Sequence, residues 1–103
     1  MTIKLFDHIG RSGLDSMRAV KLVNEIIVPQ SIQSDEKITL DFSGVTNLNS
    51  SFINALFLDI FLKFGSKNIL DKLRITNCRS NIVDIVEAGL EYADERSKEL
   101  IAI

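Results

Sequence analysis

The chain has 103 residues, with 12 Lys plus Arg against 14 Asp plus Glu, one His, one Cys and one Pro, and 46% of its positions are apolar. That length fits a single domain over residues 1–103, burying roughly 60 to 70% of its unfolded surface in a core that needs no covalent staple. A net charge of −2 with both signs scattered gives no electrostatic basis for binding nucleic acid or an anionic membrane, and one His with one Cys falls short of a zinc ligand set.

Thr2-Ile-Lys-Leu-Phe-Asp7 sets Ile3 and Leu5 against Thr2 and Lys4, which predicts a half-buried strand over residues 2–7. His8-Ile-Gly-Arg-Ser-Gly13 then turns the chain, and Ser12 three residues ahead of Asp15 is a variant of the capping box that opens a helix. On a helical wheel Ala19, Val20, Leu22, Val23, Ile26 and Ile27 fall together opposite Arg18, Lys21 and Glu25, so this helix is amphipathic, and it ends near Pro29.

Ile38, Leu40 and Phe42 against Thr39 and Asp41 predict a second strand over residues 37–42, central in the sheet and stopped by Ser43-Gly44. Asn47-Leu-Asn-Ser-Ser51 is a polar turn rich in N-cap residues, and Phe52 to Phe64 is apolar at ten of thirteen positions. This second helix is too short to span a bilayer, which takes about 20 apolar residues. Ile53, Leu56, Phe57, Ile60 and Phe64 form its core stripe, while Leu58, Phe61 and Leu62 point roughly the other way. That second face is covered by a neighbouring helix or by the tail Leu100-Ile-Ala-Ile103, or it meets a protein partner or a second copy.

Leu73-Arg-Ile-Thr76 predicts a third strand beside the second, ending at Cys78. Ile82, Val83, Ile85, Val86, Gly89 and Leu90 predict a third helix with Asn81, Asp84, Glu87 and Glu91 in solvent, and Asp94 to Glu99 either extends or frays it. The β-α-β-α-β-α order predicts an α/β domain, a small and mainly parallel sheet covered by helices. Strands two and three should be parallel with a right-handed crossover, and the direction of the first strand stays open.

Four features are candidates for chemistry. Gly10, Arg11, Ser12 and Gly13 ahead of a helix either cradle a small anion or nucleotide or simply connect strand to helix. His8 lacks a second titratable group at a useful spacing and reads as structural. Cys78, before Arg79 and a helix start, is either an activated thiolate or a small buried apolar residue. The familiar Ser-nucleophile and phosphate-loop motifs are missing, so no enzyme activity and no cofactor is expected. Met1 to Gly10 carries no secretion signal, so a cytoplasmic location is expected.

At Leu40-Asp-Phe-Ser-Gly-Val45, followed by Asn49-Ser-Ser51, the chain resembles the STAS domain of sulfate-transporter tails and anti-sigma factor antagonists. There, a strand ending in D-[LF]-S-x-V runs into a D-S-S-G turn and a helix. Asn77-Cys-Arg-Ser-Asn-Ile-Val-Asp-Ile-Val-Glu-Ala-Gly-Leu90 is similar to the family's later strand end, polar turn and helix closing on Gly-Leu. The likeness spans about Lys37 to Leu90. The long helix before Lys37, and Ser-Ser-Phe in place of Ser-Ser-Gly, resemble a stand-alone bacterial STAS-like group of unknown function.

The resemblance implies a regulatory module that binds a protein partner, an anti-sigma factor or kinase-type ATPase. In the antagonists that kinase phosphorylates the first Ser of the pair and so switches partner choice. The matching residue is Ser50, with Ser51 beside it. A phosphoserine there adds about −1.5 to −2 charge where helix dipole and free N–H groups favour an anion. Asn49 and Phe52, which replace the family's Asp and Gly, join Leu58, Phe61 and Leu62 as expected partner-facing residues. The competing reading makes Ser50 or Ser51 an N-cap contributing about 1 kcal/mol.

Overall fold

The computed structural model describes residues 1–31 and 37–101. Three strands, β1 (Thr2–Lys4), β3 (Ile38–Asp41) and β5 (Leu73–Thr76), form a parallel sheet in the order β1-β3-β5, which fixes the first strand's direction and puts β3 at the centre. Register sets Ile3 beside Leu40 beside Ile75, and Ile38 beside Leu73, on one face. The other face carries Thr2, Thr39 and Arg74 in one row and Lys4, Asp41 and Thr76 in the next. Ile3, Ile38 and Leu40 are buried whereas Thr2, Lys4, Arg74 and Thr76 are exposed, so the apolar face alone meets the core.

The helices form a layer in chain order. They are α2 (Ser16–Leu22), α4 (Ser50–Phe64) and α6 (Ser80–Ile101), with α4 packed between the other two. The expected α/β arrangement of a parallel sheet flanked by helices is therefore present, and its buried apolar residues form one cluster.

Several boundaries differ from the sequence expectation. The first strand stops at Lys4, because Leu5 N–H makes the last bond to Asp41 O (3.0 Å) before β3 turns away. With no further partner, Phe6–Ile9 closes on itself as the single-turn helix α1. Asp15, not Ser12, caps α2 by accepting from Met17 N (2.9 Å), since Ser12 belongs to the two-residue strand β2 (Ser12–Gly13). That helix continues through a π-helical turn, Val23–Ile27, into α3 (Val28–Ser31). The helix runs past Pro29 to Ser31, with the π-helical turn just ahead of the proline.

Helix α4 starts two residues earlier than expected, at Ser50, and ends at Gly65 with φ 86°. An unexpected short helix, α5 (Ser66–Lys72), follows. The run Asp94 to Glu99 extends α6 because its buried stripe continues from Ile82, Val86 and Gly89 to Ala93 and Ser97. Asp94 anchors it, accepting from Ser66 Oγ (2.5 Å) and Lys98 Nζ (3.1 Å). No helix among the described residues is long and apolar enough to cross a membrane.

Asp41 closes the sheet's C-terminal edge. Its Oδ1 accepts from Asn77 Nδ2 (2.9 Å), Ser43 N–H (2.9 Å) and Ser43 Oγ (2.8 Å), and Asn77 takes a left-handed φ of 58°. The Asn77 amide, then the Ser43 N–H and hydroxyl, hold the Asp41 carboxyl below the ordinary 3.8. The Ser66 hydroxyl, then Lys98, act on Asp94 in the same direction. A carboxylate with a depressed folded pKa stabilises the fold above its unfolded pKa and stops doing so as pH falls through the folded value. Thermal melts from about pH 6 to pH 2 should show a falling Tm for the wild type. Asp41→Asn should start lower at pH 6 and fall less, and an acid slope identical to wild type would remove Asp41 from this role.

Candidate functional site

The turn from β3 into α4 holds the serine pair. Strand β4 (Asn47–Leu48) pairs parallel with β2, a ladder too short to be visible as a sequence pattern. Arg11 O accepts from Thr46 N–H (2.8 Å) and Asn47 N–H (3.1 Å), and Gly13 O accepts from Asn49 N–H (3.1 Å). A side chain at Gly13 would lie 2.7 Å from Leu48 Cδ2 and 2.8 Å from Phe52 Cδ1, so only glycine lets the two segments meet.

Asn49 fastens the junction in two directions. Its Oδ1 caps α4 by accepting from Phe52 N–H (2.9 Å), and its Nδ2 donates to Leu14 O (3.0 Å). The cap is thus Asn49 rather than either serine. Ser50 and Ser51 lie exposed in the first turn, and among the described residues neither hydroxyl has a hydrogen-bond partner. Further along, Asn24 Nδ2 donates to Asp59 Oδ2 (3.0 Å). Both cross-links join residues 35 apart in sequence, so α2 and α4 run side by side in the same direction.

This geometry redraws the expected contact face. Phe52 and Phe61 are buried at 1% and 0% exposure, because α2 and α6 flank α4 on both sides. Leu58 is half-buried against the core, leaving Leu62 as the exposed member of the set. Of the tail Leu100 to Ile103 expected to cover that face, Leu100 lies in α6 at 39% exposure, and residues 102–103 fall outside the described residues. Exposed apolar surface lies instead on the neighbouring element, at Leu14 (55%), Met17 (79%) and Val20 (40%). Met17 was discoverable on the wheel, where it falls opposite Ala19, Val23 and Ile27.

The other candidates separate. Gly10 takes φ 68°, but the backbone oxygens of Arg11 and Gly13 face the β4 turn as acceptors, and the α2 N-terminus already holds the Asp15 side chain. Ser12 Oγ accepts from Asn47 Nδ2 (3.4 Å). Gly10 and Arg11 therefore make the turn into β2, which Ser12 and Gly13 form, and the oxygens of Arg11 and Gly13 serve there as acceptors. His8 is exposed on α1, its backbone oxygen accepting from Arg18 (3.3 Å). Burial, then Glu87, push the Cys78 thiol up, which favours the small buried residue over the thiolate. Among the described residues no cluster of His, Cys, Asp or Glu is suited to a metal ion.

The model of a family described as a STAS-like domain of unknown function (DUF4325) matches residues 19–83, from α2 through the sheet and the serine turn into α6. No curated protein and no solved structure matches the chain. With more than half of its length matched, and with the parallel sheet and serine turn that the resemblance led one to expect, the chain belongs to this family of STAS-like domains.

Proposed function

We propose that the domain is a non-enzymatic regulatory module of the anti-sigma factor antagonist type, docking a protein partner beside the α4 N-terminus and switched by phosphorylation of Ser50. The observation that carries this reading is the juxtaposition of two partnerless serine hydroxyls with the exposed Leu14 and Met17. The Asn49 clamp holds both parts in fixed relation.

The physical chemistry suits a switch. A phosphate on Ser50 would roughly double the net charge of −2, and would place that charge beside apolar contact surface. Docking to an acidic surface would weaken and docking to a basic one would strengthen. The N–H groups of the first turn stabilise the added anion, so the modification leaves the fold intact. An anti-sigma factor or kinase-type ATPase, in a bacterial cytoplasm, is the partner that the resemblance to anti-sigma factor antagonists suggests.

The test is to recover the full chain from its native cells and analyse it by mass spectrometry, comparing wild type with Met17→Asp, Ser50→Ala and Ser50→Glu. A stoichiometric partner lost from Met17→Asp and lost or exchanged in Ser50→Glu, with phosphate on Ser50 of the wild type, supports the proposal. Met17 is so exposed that Met17→Asp should melt within about 0.5 kcal/mol of wild type. The same partner on all four proteins would sink the switch and the docking face together.

A further inference from the structure

We propose that the groove between α1 and α2, on the flank of α2 away from α4, binds a small soluble phosphomonoester. His8 and Ile9 of α1 face Arg18, Lys21, Leu22, Glu25 and Ile26 across a cavity of about 220 Å³. Its floor is apolar, since Ile9 and Leu22 are buried and Ile26 is half-buried. Charge is unequally placed along it. Arg18 stands in the first turn of α2 and Lys21 in its last, and Glu25 lies about 10 Å beyond Arg18 and about 6 Å beyond Lys21 at the helical rise per residue.

Among the described residues neither cation has an ion-pair partner, and these two share one groove. Like charges three residues apart on a helix repel, and a bound dianion relieves that repulsion. Arg18 is already held at the groove by donating to His8 O (3.3 Å), which leaves the rest of its planar fork for phosphate oxygens. Lys21 adds a mobile ammonium, and His8 a ring N–H.

Size and polarity narrow the ligand. The cavity lies below the roughly 300–1,000 Å³ of sites for drug-sized molecules, so it takes a phosphate with a short body and excludes a nucleotide. The apolar floor receives that body, and Glu25 repels a second anionic group at the far end while accepting from a hydroxyl. The wall from Val23 to Ile27 is π-helical, with Val28 N–H bonded back to Val23 O. Such turns occur frequently at functional sites. The site is separate from the serine turn, and its test does not depend on any protein partner.

The experiment is an NMR titration of the full chain with phenyl phosphate and with inorganic phosphate. Saturable shifts confined to residues 8–9 and 18–26 are expected, with phenyl phosphate binding several-fold more tightly because of the floor. Arg18→Gln with Lys21→Gln should weaken binding at least tenfold at unchanged Tm. Should that pair fail to fold, Glu25→Gln gives the independent reading, since removing the repelling carboxylate must tighten binding several-fold. Shifts that never saturate, that spread over unrelated lysines, or that Glu25→Gln leaves unaltered would overturn the site.

Discussion

Phe61→Ala should be the most damaging single substitution in the domain, lowering stability by about 3–5 kcal/mol. The ring is 0% exposed, in the fourth turn of a helix that α2 flanks on one side and α6 on the other. Truncation leaves a cavity that neighbours fastened through Asn24–Asp59 and through the serine-turn clamp cannot readily collapse to fill. Against a typical total stability of about 5–15 kcal/mol, the loss consumes a large part of the margin. It should appear as a drop in Tm of at least about 12 °C. The comparison that gives it meaning is Met17→Ala, at 79% exposure, which should melt like wild type. Were Phe61→Ala to keep its Tm and lose only association, the ring would be contact surface after all and α4 would not be enclosed.

That prediction reverses the reading of the helix wheel, and the reason is physical. Periodicity reports which residues avoid water, not what covers them. Phe61 and Leu62 look alike on the wheel, yet one is enclosed and the other 40% exposed, because α2 lies beside α4 through contacts 35 residues apart. The sheet was legible because alternation at Ile3, Ile38, Leu40 and Ile75 is local, and parallel order followed from the intervening helices. The ladder between Ser12–Gly13 and Asn47–Leu48 was not, since two residues hold no period. The serine turn was legible as a cap-rich segment, but the choice among Asn49, Ser50 and Ser51 depended on Leu14 O, which only the fold brings near. The groove of His8, Arg18 and Lys21 was hidden for the same reason, because its two walls come from separate elements joined by a turn that resembled a site itself.

The helix layer offers a second test, at a position where the space between helices is already full. Gly89 is buried in α6 where that helix crosses α4. A Cβ there would overlap Ile53 Cγ2 and lie 3.1 Å from Phe57 Cδ2. Both partners are themselves 0% exposed, so neither can swing into solvent to make room. Two effects oppose each other. Replacing a helical glycine gains up to about 1 kcal/mol in backbone propensity for alanine and less for a β-branched residue. Overpacking a close helix contact costs about 1–3 kcal/mol, more when the added group is branched and rigid. Gly89→Val should therefore lose about 2–3 kcal/mol, and its Tm should fall by about 10–20 °C. Ala88→Val, one residue away on the exposed side, changes the same helix and should lose no more than about 0.7 kcal/mol, the difference in helix propensity. The contrast between adjacent positions separates packing from propensity. A small gain at 89 beside a small loss at 88 would mean that helix propensity alone governs α6. A Gly89→Val protein as stable as wild type would mean that α6 can slide outward, and that the small stripe of Gly89, Ala93 and Ser97 does not set the spacing of the layer.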